Sequence, residues 1–269
     1  TAVSASPMII AFCPLIRSST GEMKDTPRNI FREKEFVINF VSESIVEKIN
    51  ITSQEIPYGE DEFVLAGLTP LDSEKVKRIV DEVKESGDRA LIKYTRKFDG
   101  IELAKNKIQI SKKEIKEAYK NASPEPINSL KTAAINITKY AKYQLPDGWE
   151  KNIDEGILVG QIVRPLDSVG CYVPGGNYPL VSTVLMTVIP AKIAGVREII
   201  VCCPKITNEI LVACSIAKAT KVFRIGGPQA IAAMAYGTET IPKVNKIVGP
   251  GNLYVTAAKK LVYGSVGID

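Results

Sequence analysis

Three stretches of the sequence decide the fold: Val169-Gly-Cys-Tyr-Val-Pro-Gly-Gly-Asn-Tyr-Pro, Val222-Phe-Arg-Ile-Gly-Gly-Pro-Gln-Ala and Lys246-Ile-Val-Gly-Pro-Gly-Asn-Leu-Tyr. In each stretch a short apolar run meets a glycine- and proline-rich turn, and an apolar segment of helical length follows. Parallel strands that are buried on both faces need continuous apolar runs, and the helices between them need an apolar stripe. The pattern predicts strands over 169–173, 198–202, 222–225 and 246–248, and helices over 181–194, 208–217, 229–236 and 253–262. The predicted fold class is therefore α/β, with a parallel sheet between flanking helices.

Glycines follow the predicted strands at one edge of this sheet. They are Gly175, Gly176, Gly226, Gly227, Gly249 and Gly251. In an open sheet of the Rossmann-like kind, ligands bind beyond the carboxyl ends of the strands, where helix N-termini carry partial positive charge. This edge is predicted to bind a nucleotide or another anionic ligand. The alternative is that the glycines only permit tight turns, and neither G-x-G-x-x-G nor G-x-x-x-x-G-K-[ST] occurs to decide the question.

The composition is that of an ordinary globular protein, with 45% apolar and 24% charged residues. No apolar run of membrane-spanning length and no signal peptide occurs, so we expect a cytoplasmic protein without a membrane partner. The net charge of +5 is spread along the chain, which favours anionic metabolites over nucleic acid. The five cysteines show no zinc-ligand spacing and are interpreted as buried reduced thiols: Cys13, Cys171, Cys202, Cys203 and Cys214.

The sequence contains no histidine. This removes the commonest general base, the commonest zinc ligand and every Ser/His or Cys/His pair. Chemistry performed by this chain alone would have to use carboxylates, Lys, Tyr, Cys or a bound cofactor. No catalytic residue and no metal ligand is therefore assigned.

Residues 71–164 are predicted to be a helical region that serves as scaffold and dimer contact. Gly87 is expected to end the first helix and Asp88 to cap the second. Ser111-Lys-Lys-Glu114 has the form of a capping box, and Ser123-Pro124 is typical of a helix start. The region is also expected to expose apolar surface, which would favour association with a partner.

Several motifs resemble those of histidinol dehydrogenases. They are Tyr94-Thr-Arg-Lys-Phe-Asp-Gly, Tyr172-Val-Pro-Gly-Gly, Arg224-Ile-Gly-Gly-Pro-Gln-Ala-Ile-Ala, Ala235-Tyr-Gly-Thr-Glu-Thr-Ile-Pro and Lys246-Ile-Val-Gly-Pro-Gly-Asn. The resemblance covers residues 71–269. It implies an oxidoreductase of histidine biosynthesis, a homodimer with shared active sites that uses zinc and oxidises L-histidinol to L-histidine with NAD.

The resemblance also assigns three cofactor contacts. In that family the Tyr, Gln and Asn of these motifs contact NAD, and they correspond to Tyr172, Gln229 and Asn252. Their amides and hydroxyl are suited to ribose and pyrophosphate oxygens. The alternatives are a core aromatic at a strand end for Tyr172 and a helix N-cap for Asn252, and the cap and the NAD contact are compatible.

The family's zinc ligands and its Glu-His acid–base pair lie after a Gly-Ile-Asp that corresponds to the last residues of this sequence, which ends at Asp269. We therefore expect the chain to carry only the NAD-binding portion and to be inactive by itself. The alternative is a catalytically inactive chimeric or truncated chain that keeps a nucleotide-binding fold.

Residues 1–70 resemble a different family, the FMN-binding split barrel of flavin reductase-like proteins. The motifs are Thr1-Ala-Val-Ser, Lys24-Asp-Thr and Asp61-Glu-Phe-Val-Leu-Ala-Gly-Leu-Thr-Pro. The resemblance implies that Ser4, Lys24 and Thr26 hold the flavin phosphate, whereas the alternative makes Thr26 only a capping residue. Three parts are thus predicted: a β-rich fragment at 1–70, a helical part at 71–164 and an incomplete NAD-binding domain at 165–269. An FMN-binding protein is the alternative function.

Overall fold

The computed structural model describes residues 73–175 and 180–269. The chain divides into two units, residues 1–70 and 71–269, and the described ranges belong to the second. The predicted flavin contacts Ser4, Lys24 and Thr26 lie outside the described residues, as do Cys13 and Gly176.

The described part begins with four helices and a hairpin. The helices are α1 (Ser73–Ser86), α2 (Asp88–Asp99), α3 (Lys112–Asn121) and α4 (Pro124–Tyr143), and the hairpin pairs β1 (Trp149–Asp154) with β2 (Ile157–Gln161). The predicted capping box is confirmed at the start of α3. The Ser111 side chain accepts from the Glu114 amide at 3.2 Å, and the Glu114 carboxylate accepts from the Ser111 amide at 2.8 Å.

The prediction that Asp88 caps α2 is wrong. The N-cap position is Gly87, with φ +52°, and Asp88 is the first helical residue. A distant side chain supplies the cap, because the Asp88 amide donates to the Glu239 carboxylate at 2.8 Å. The Asp88 carboxylate is itself buried, accepts from the Thr240 hydroxyl at 2.5 Å and lies 3.6 Å from Lys105 Nζ. A buried carboxylate needs such partners, and they draw its side chain away from the cap position.

A five-stranded parallel sheet follows, and it confirms the predicted fold class. Its elements are β3 (Ser168–Tyr172), α5 (Val181–Ile193), β4 (Glu198–Cys202), α6 (Asn208–Ala217), β5 (Lys221–Phe223), α7 (Gly227–Tyr236), β6 (Lys246–Val248), α8 (Leu253–Val262) and β7 (Gly267–Ile268). The strand order is β5-β4-β3-β6-β7. The third predicted strand ends two residues early, at Phe223, because its ladder with β4 ends at the pair Cys202 and Phe223. Beyond it, the Arg224 amide donates to the Ile108 carbonyl on the outer edge of β5.

Helices cover both faces of the sheet. One group of buried side chains joins α1, α2, α7 and α8 to one face, with Leu91 and Ile231 fully buried. The other group joins α3, α4, α5 and α6 to the opposite face, with Ile210 fully buried. Each such side chain stabilises the fold by ~1.5–3 kcal/mol. Both groups combine residues from before and after position 165, and the predicted division there stays a prediction.

The strand order reverses between β3 and β6. From β3 the chain moves outward to β4 and β5, and it then returns past β3 to form β6. The helix after β3, α5, packs on one face, whereas the helix after β6, α8, packs on the other. In doubly wound sheets ligands bind in a crevice at such a switch point, so a crevice is expected near the loops that follow β3 and β6.

Exposed apolar side chains concentrate in and around the hairpin. Every residue of β1 and β2 is exposed except Val159, which is half-buried. The exposed residues include Ile135, Tyr140, Tyr143, Leu145, Trp149, Ile153, Ile157, Leu158, Ile162 and Val163. This bears out the expected apolar surface of residues 71–164. The four described cysteines are free and buried, as interpreted, and burial raises the pKa of Cys171 to about 12 and of Cys203 to about 11. No helix in 73–175 or 180–269 has the length and apolar character needed to cross a bilayer.

Candidate functional site

The candidate site is the carboxyl edge of the sheet, where the strand-end loops converge on Pro204. A Cβ added at Gly175 would lie 2.6 Å from Pro204 Cγ, and one at Gly226 would lie 2.4 Å from Pro204 Cβ. Both contacts are closer than any real Cβ allows, so the loops after β3 and β5 approach the loop after β4 only because they carry glycine. The predicted close approach of backbone at this edge is therefore present.

Tyr172 lies at the end of β3 and reaches the start of α7. Its hydroxyl accepts a hydrogen bond from the Gly227 amide at 3.1 Å. The side chain is 3% exposed, and burial raises the pKa of Tyr172 to about 12, so the hydroxyl keeps its proton at neutral pH. In this structure Tyr172 is a core aromatic that satisfies one helix N-terminal amide, and its contact with NAD stays a prediction.

Gln229 lies in the first turn of α7 and is completely buried. Neither its Oε1 nor its Nε2 has a hydrogen-bond partner within the described residues. Its side chain folds back toward Gly227, where an added Cβ would lie 2.6 Å from Oε1. Leaving a buried polar group unpaired costs ~1–3 kcal/mol. Such a group in a folded protein calls for an explanation, and a functional role is one of those that apply to buried polar groups.

Asn252 lies at the start of the next helix, α8, which packs on the same face of the sheet as α7. It is the N-cap of α8, and its side-chain oxygen accepts from the Val255 amide at 3.1 Å. The residue is exposed, so the rest of its amide faces solvent. The structure thus contains the alternative predicted for Asn252, the cap, and leaves its amide nitrogen accessible to a ligand.

The loops after β3 and β6 are in direct backbone contact. Gly249 has φ +116°, and a Cβ there would lie 2.2 Å from the Tyr172 carbonyl oxygen. Two side chains hold this glycine in place, Lys259 on its carbonyl at 2.6 Å and Asp269 on its amide at 2.8 Å. Sequence reasoning missed both residues, because their contacts with Gly249 span 10 and 20 positions and follow no local pattern.

An ion pair lies at the end of β5, the outermost strand of this edge. Arg224, after β5, contacts the Glu114 carboxylate at 3.0 Å and the Lys107 carbonyl at 2.9 Å. The Ser111 amide and Arg224 together hold the pKa of Glu114 at about 2, well below its ordinary value. This pair fastens α3 to the end of β5, and sequence reasoning missed it as well.

The assembled groups are suited to binding, and they form no acid–base or metal centre. They include backbone amides, two side-chain amides, a phenol and buried thiols with raised pKa values. Within 73–175 and 180–269 no three His, Cys, Asp or Glu side chains are grouped so that they could hold a metal ion. The fold defines a doubly wound, Rossmann-like α/β protein, and the edge at its topological switch point is the candidate ligand site.

Comparison with known families identifies the protein further. The family model that matches residues 71–269 is described as histidinol dehydrogenase, and it covers well over half of the sequence. The chain belongs to the histidinol dehydrogenase family. A second model, described as flavin reductase like domain, matches residues 1–85 and overlaps α1. Both resemblances inferred from the motifs are therefore confirmed.

Individual relatives agree. The chain is 50% identical over 199 residues to a histidinol dehydrogenase of Methanothermobacter thermautotrophicus, which covers 72% of this chain and 46% of that protein. It is 46% identical over 229 residues to one of Methanococcus maripaludis, with coverages of 83% and 53%. A crystal structure of histidinol dehydrogenase from Elizabethkingia anophelis superposes with a TM-score of 0.70 at 37% identity, covering 83% of this chain and 50% of that one. The chain thus spans about half the length of these relatives.

Proposed function

We propose that residues 71–269 are the NAD-binding portion of a histidinol dehydrogenase that oxidises L-histidinol to L-histidine in the cytoplasm as a homodimer. Family membership and the names of the relatives support the reaction. One observation supports cofactor binding above the others. The buried Gln229 amide beside the N-terminus of α7 has no hydrogen-bond partner among residues 73–175 and 180–269. A ligand with hydroxyl and phosphate oxygens would satisfy it.

The residues at the crevice fit a dinucleotide. The Gln229 amide can donate and accept toward ribose or pyrophosphate oxygens, and so can the exposed Asn252 amide. The Gly227 amide already donates to the Tyr172 hydroxyl. The N-terminus of α7 as a whole still favours an anionic oxygen, because helix N-termini carry partial positive charge. NAD, when bound, accepts the hydride. The contribution proposed for this chain is to bind the cofactor and to orient it.

The residues do not fit zinc. The sequence lacks histidine, and no suitable group of ligands occurs in the described ranges. No step through a metal is derived for this chain. We propose that the zinc ligands and the acid–base residues belong to polypeptide other than these residues, either in the same protein or in a partner chain.

A thermal-shift titration tests the NAD proposal. NAD added to the whole chain should raise its Tm progressively with concentration, because a ligand that binds only the folded state stabilises it. Gln229→Met should abolish most of this rise, since methionine keeps the volume and removes the amide. Gln144→Met, at an exposed position after α4, is the matched control and should respond like the wild type. An unchanged Tm of the wild type across the titration would contradict the proposal.

The alternative function is that of a catalytically inactive nucleotide-binding chain, the runner-up to the dehydrogenase. Such a chain would show the same NAD-dependent rise in Tm as the proposed dehydrogenase, but it would not oxidise histidinol. The test measures histidinol-dependent formation of NADH, with zinc supplied and with the half of a relative that this chain does not match added as a separate polypeptide. It distinguishes the dehydrogenase from the inactive chain. Turnover in that mixture supports the dehydrogenase, and NAD binding without turnover supports the runner-up.

The match of residues 1–85 to a flavin reductase like domain favours a second candidate function, FMN binding. Ser4, Lys24 and Thr26 are its proposed phosphate contacts. FMN fluorescence should be quenched on titration with the chain, and Lys24→Met should weaken the quenching because an ammonium is lost from the phosphate site. Lys260→Met, on α8, is the control. Fluorescence that stays unquenched at every concentration of the wild-type chain would exclude this function.

A further inference from the structure

A clamp made of Lys259 and Asp269 surrounds the loop that joins β6 to α8. The Lys259 ammonium donates to the Gly249 carbonyl at 2.6 Å, and it also pairs with the Asp269 carboxylate. The second oxygen of that carboxylate accepts from the Gly249 amide at 2.8 Å. Both peptide groups of one glycine are therefore held by a single ion pair.

The clamped conformation is one that the loop would not keep by its own preferences. Gly249 has φ +116°, a region that glycine reaches easily and also leaves easily. Pro250 restricts only its own φ. Because the free glycine populates several conformations, an external contact on each of its two peptide groups is what selects one.

The burial of Lys259 indicates that the clamp is part of the folded structure. The Lys259 side chain is only 12% exposed, whereas that of Asp269 is 40% exposed. An ammonium that is largely removed from water needs hydrogen-bond acceptors, and the Gly249 carbonyl and the Asp269 carboxylate provide them. A lysine whose only task was solubility would extend into solvent, as the exposed neighbour Lys260 does.

The clamp affects the position of the loop relative to both Tyr172 and Asn252. Gly249 lies against the Tyr172 carbonyl, so its position determines how closely the loop approaches the end of β3. Three residues later the same loop ends at Asn252, the N-cap of α8. Lys259 lies on that helix, and its side chain leads back toward the helix N-terminus, as helical side chains do. The separation between Tyr172 and Asn252 is thereby set by one ion pair.

We propose that Lys259 and Asp269 are positioning residues of the cofactor site, which hold the Gly249 loop at the spacing a dinucleotide requires. The inference rests on the proposed NAD binding and extends it to two residues that need not touch the cofactor. They act through Gly249, and Asn252 and Tyr172 are the groups they place.

The test compares Lys259→Met with Lys260→Met, adjacent positions on the same helix. Lys259→Met should weaken NAD binding, read from the concentration dependence of Tm, by about tenfold, which corresponds to ~1.4 kcal/mol. Lys260→Met should bind NAD like the wild type. Lys259→Arg keeps a cation within reach of both acceptors and should recover most of the affinity. Hydrogen exchange of the Gly249 amide should accelerate in Lys259→Met alone.

The outcomes separate the clamp from general stability and from the proposed function. If Lys259→Met lowers Tm without ligand but shows wild-type NAD affinity, the residues are structural and the proposal is overturned. If Lys259→Met does not fold, Asp269→Asn repeats the comparison, because it removes the charge and keeps the shape. A wild type that does not respond to NAD would overturn the proposed function, and unaltered Gly249 exchange in the variants would overturn the clamp itself.

Discussion

Two helices, α7 and α8, begin at the same edge of the sheet after similar glycine-proline turns, yet their first turns differ in one respect. The amide of Asn252 starts α8 as an exposed N-cap and has its hydrogen bond. The amide of Gln229 in α7 is buried and has none among the described residues. At α7 the distant Tyr172 supplies the acceptor instead. The helix cap is a sufficient structural reason for Asn252. Gln229 lowers stability in the ligand-free chain, and binding of a ligand would be a reason for its presence.

The largest expected effect concerns the loop that enters α8. Gly249→Ala should lower the free energy of unfolding by about 3 kcal/mol or more, because the new Cβ would meet the Tyr172 backbone and neither can move freely. Gly264→Ala is the control, since Gly264 also has a positive φ but has nothing within 4 Å of its Cβ position. It should cost only about 1 kcal/mol. Urea denaturation of both variants measures the difference, and equal losses would show that the close approach is not a constraint.

The next effect concerns the hydrogen bond at the start of α7. Tyr172→Phe should lower the free energy of unfolding by about 1–2 kcal/mol, because the Gly227 amide loses its acceptor in a buried place. Tyr143→Phe, at an exposed position that ends α4, should be neutral. Urea denaturation again provides the measurement. A neutral Tyr172→Phe would mean that water reaches this amide, and the contrast between the two helices would weaken.

Removing the cap of α8 should have a similar but smaller effect. Asn252→Ala should lower the free energy of unfolding by about 1 kcal/mol, the usual contribution of an N-cap. Asn208, the exposed first residue of α6, follows the cap Thr207 and offers a control at which alanine should be tolerated. Thermal unfolding of the two variants side by side checks the assignment, which would fail if Asn208→Ala proved the more damaging.

Removing the side-chain amide in the first turn of α7 should stabilise the chain, whereas removing the one that caps α8 destabilises it. Gln229→Met should raise the free energy of unfolding of the ligand-free chain by roughly 1 kcal/mol, since it removes two unpaired polar atoms and keeps the packing. Calorimetry without cofactor measures this. A destabilised variant would indicate that the Gln229 amide already has partners in solution, and the main argument for a ligand beside α7 would be lost.

The smallest effect concerns α3, a third helix start at this edge, which has a local capping box. The ionised Glu114 accepts from the Ser111 amide and pairs with Arg224, and its pKa of about 2 lies below the ordinary 4.5. Its stabilisation is therefore complete above pH 4.5 and is lost as the pH falls through the folded pKa of about 2. Because the carboxylate is partly exposed, the loss should be only roughly 1 kcal/mol. Glu114→Gln should flatten the acid side of the stability profile, and Glu117→Gln on the same helix should leave it unchanged.

The sequence pattern predicted most of the sheet and its helices. Apolar runs located β4 and β6 to the residue, and the spacing of apolar side chains located α6 and α8 equally well. These elements were predictable because their burial on both sides leaves a local signature in the chain. The end of β5 was placed wrongly, because its ladder with β4 ends at Phe223 and Arg224 donates instead to Ile108, more than a hundred positions earlier.

The candidate site stays a prediction, and the sequence indicated its edge better than its detail. Glycines after strands indicated the edge, and the family resemblance named Tyr172, Gln229 and Asn252 there. The charged side chains that hold the Gly249 loop and the start of α3 were missed: Lys259, Asp269, Glu114 and Arg224. Charged residues are common on helix surfaces, and a sequence does not distinguish a solvated lysine from one that is buried against a carbonyl.

The sequence by itself determined the fold class and the family and predicted an edge for a ligand, because apolar periodicity, turn residues and motifs are local properties of the chain. Only the tertiary structure decided that the Asn252 side chain has a hydrogen-bond partner while that of Gln229 has none in the described part of the chain, and that Lys259 and Asp269 clamp Gly249. The physical reason is that hydrogen-bond satisfaction and burial depend on atoms brought together from distant positions. Folding makes those neighbours, and no local pattern specifies them.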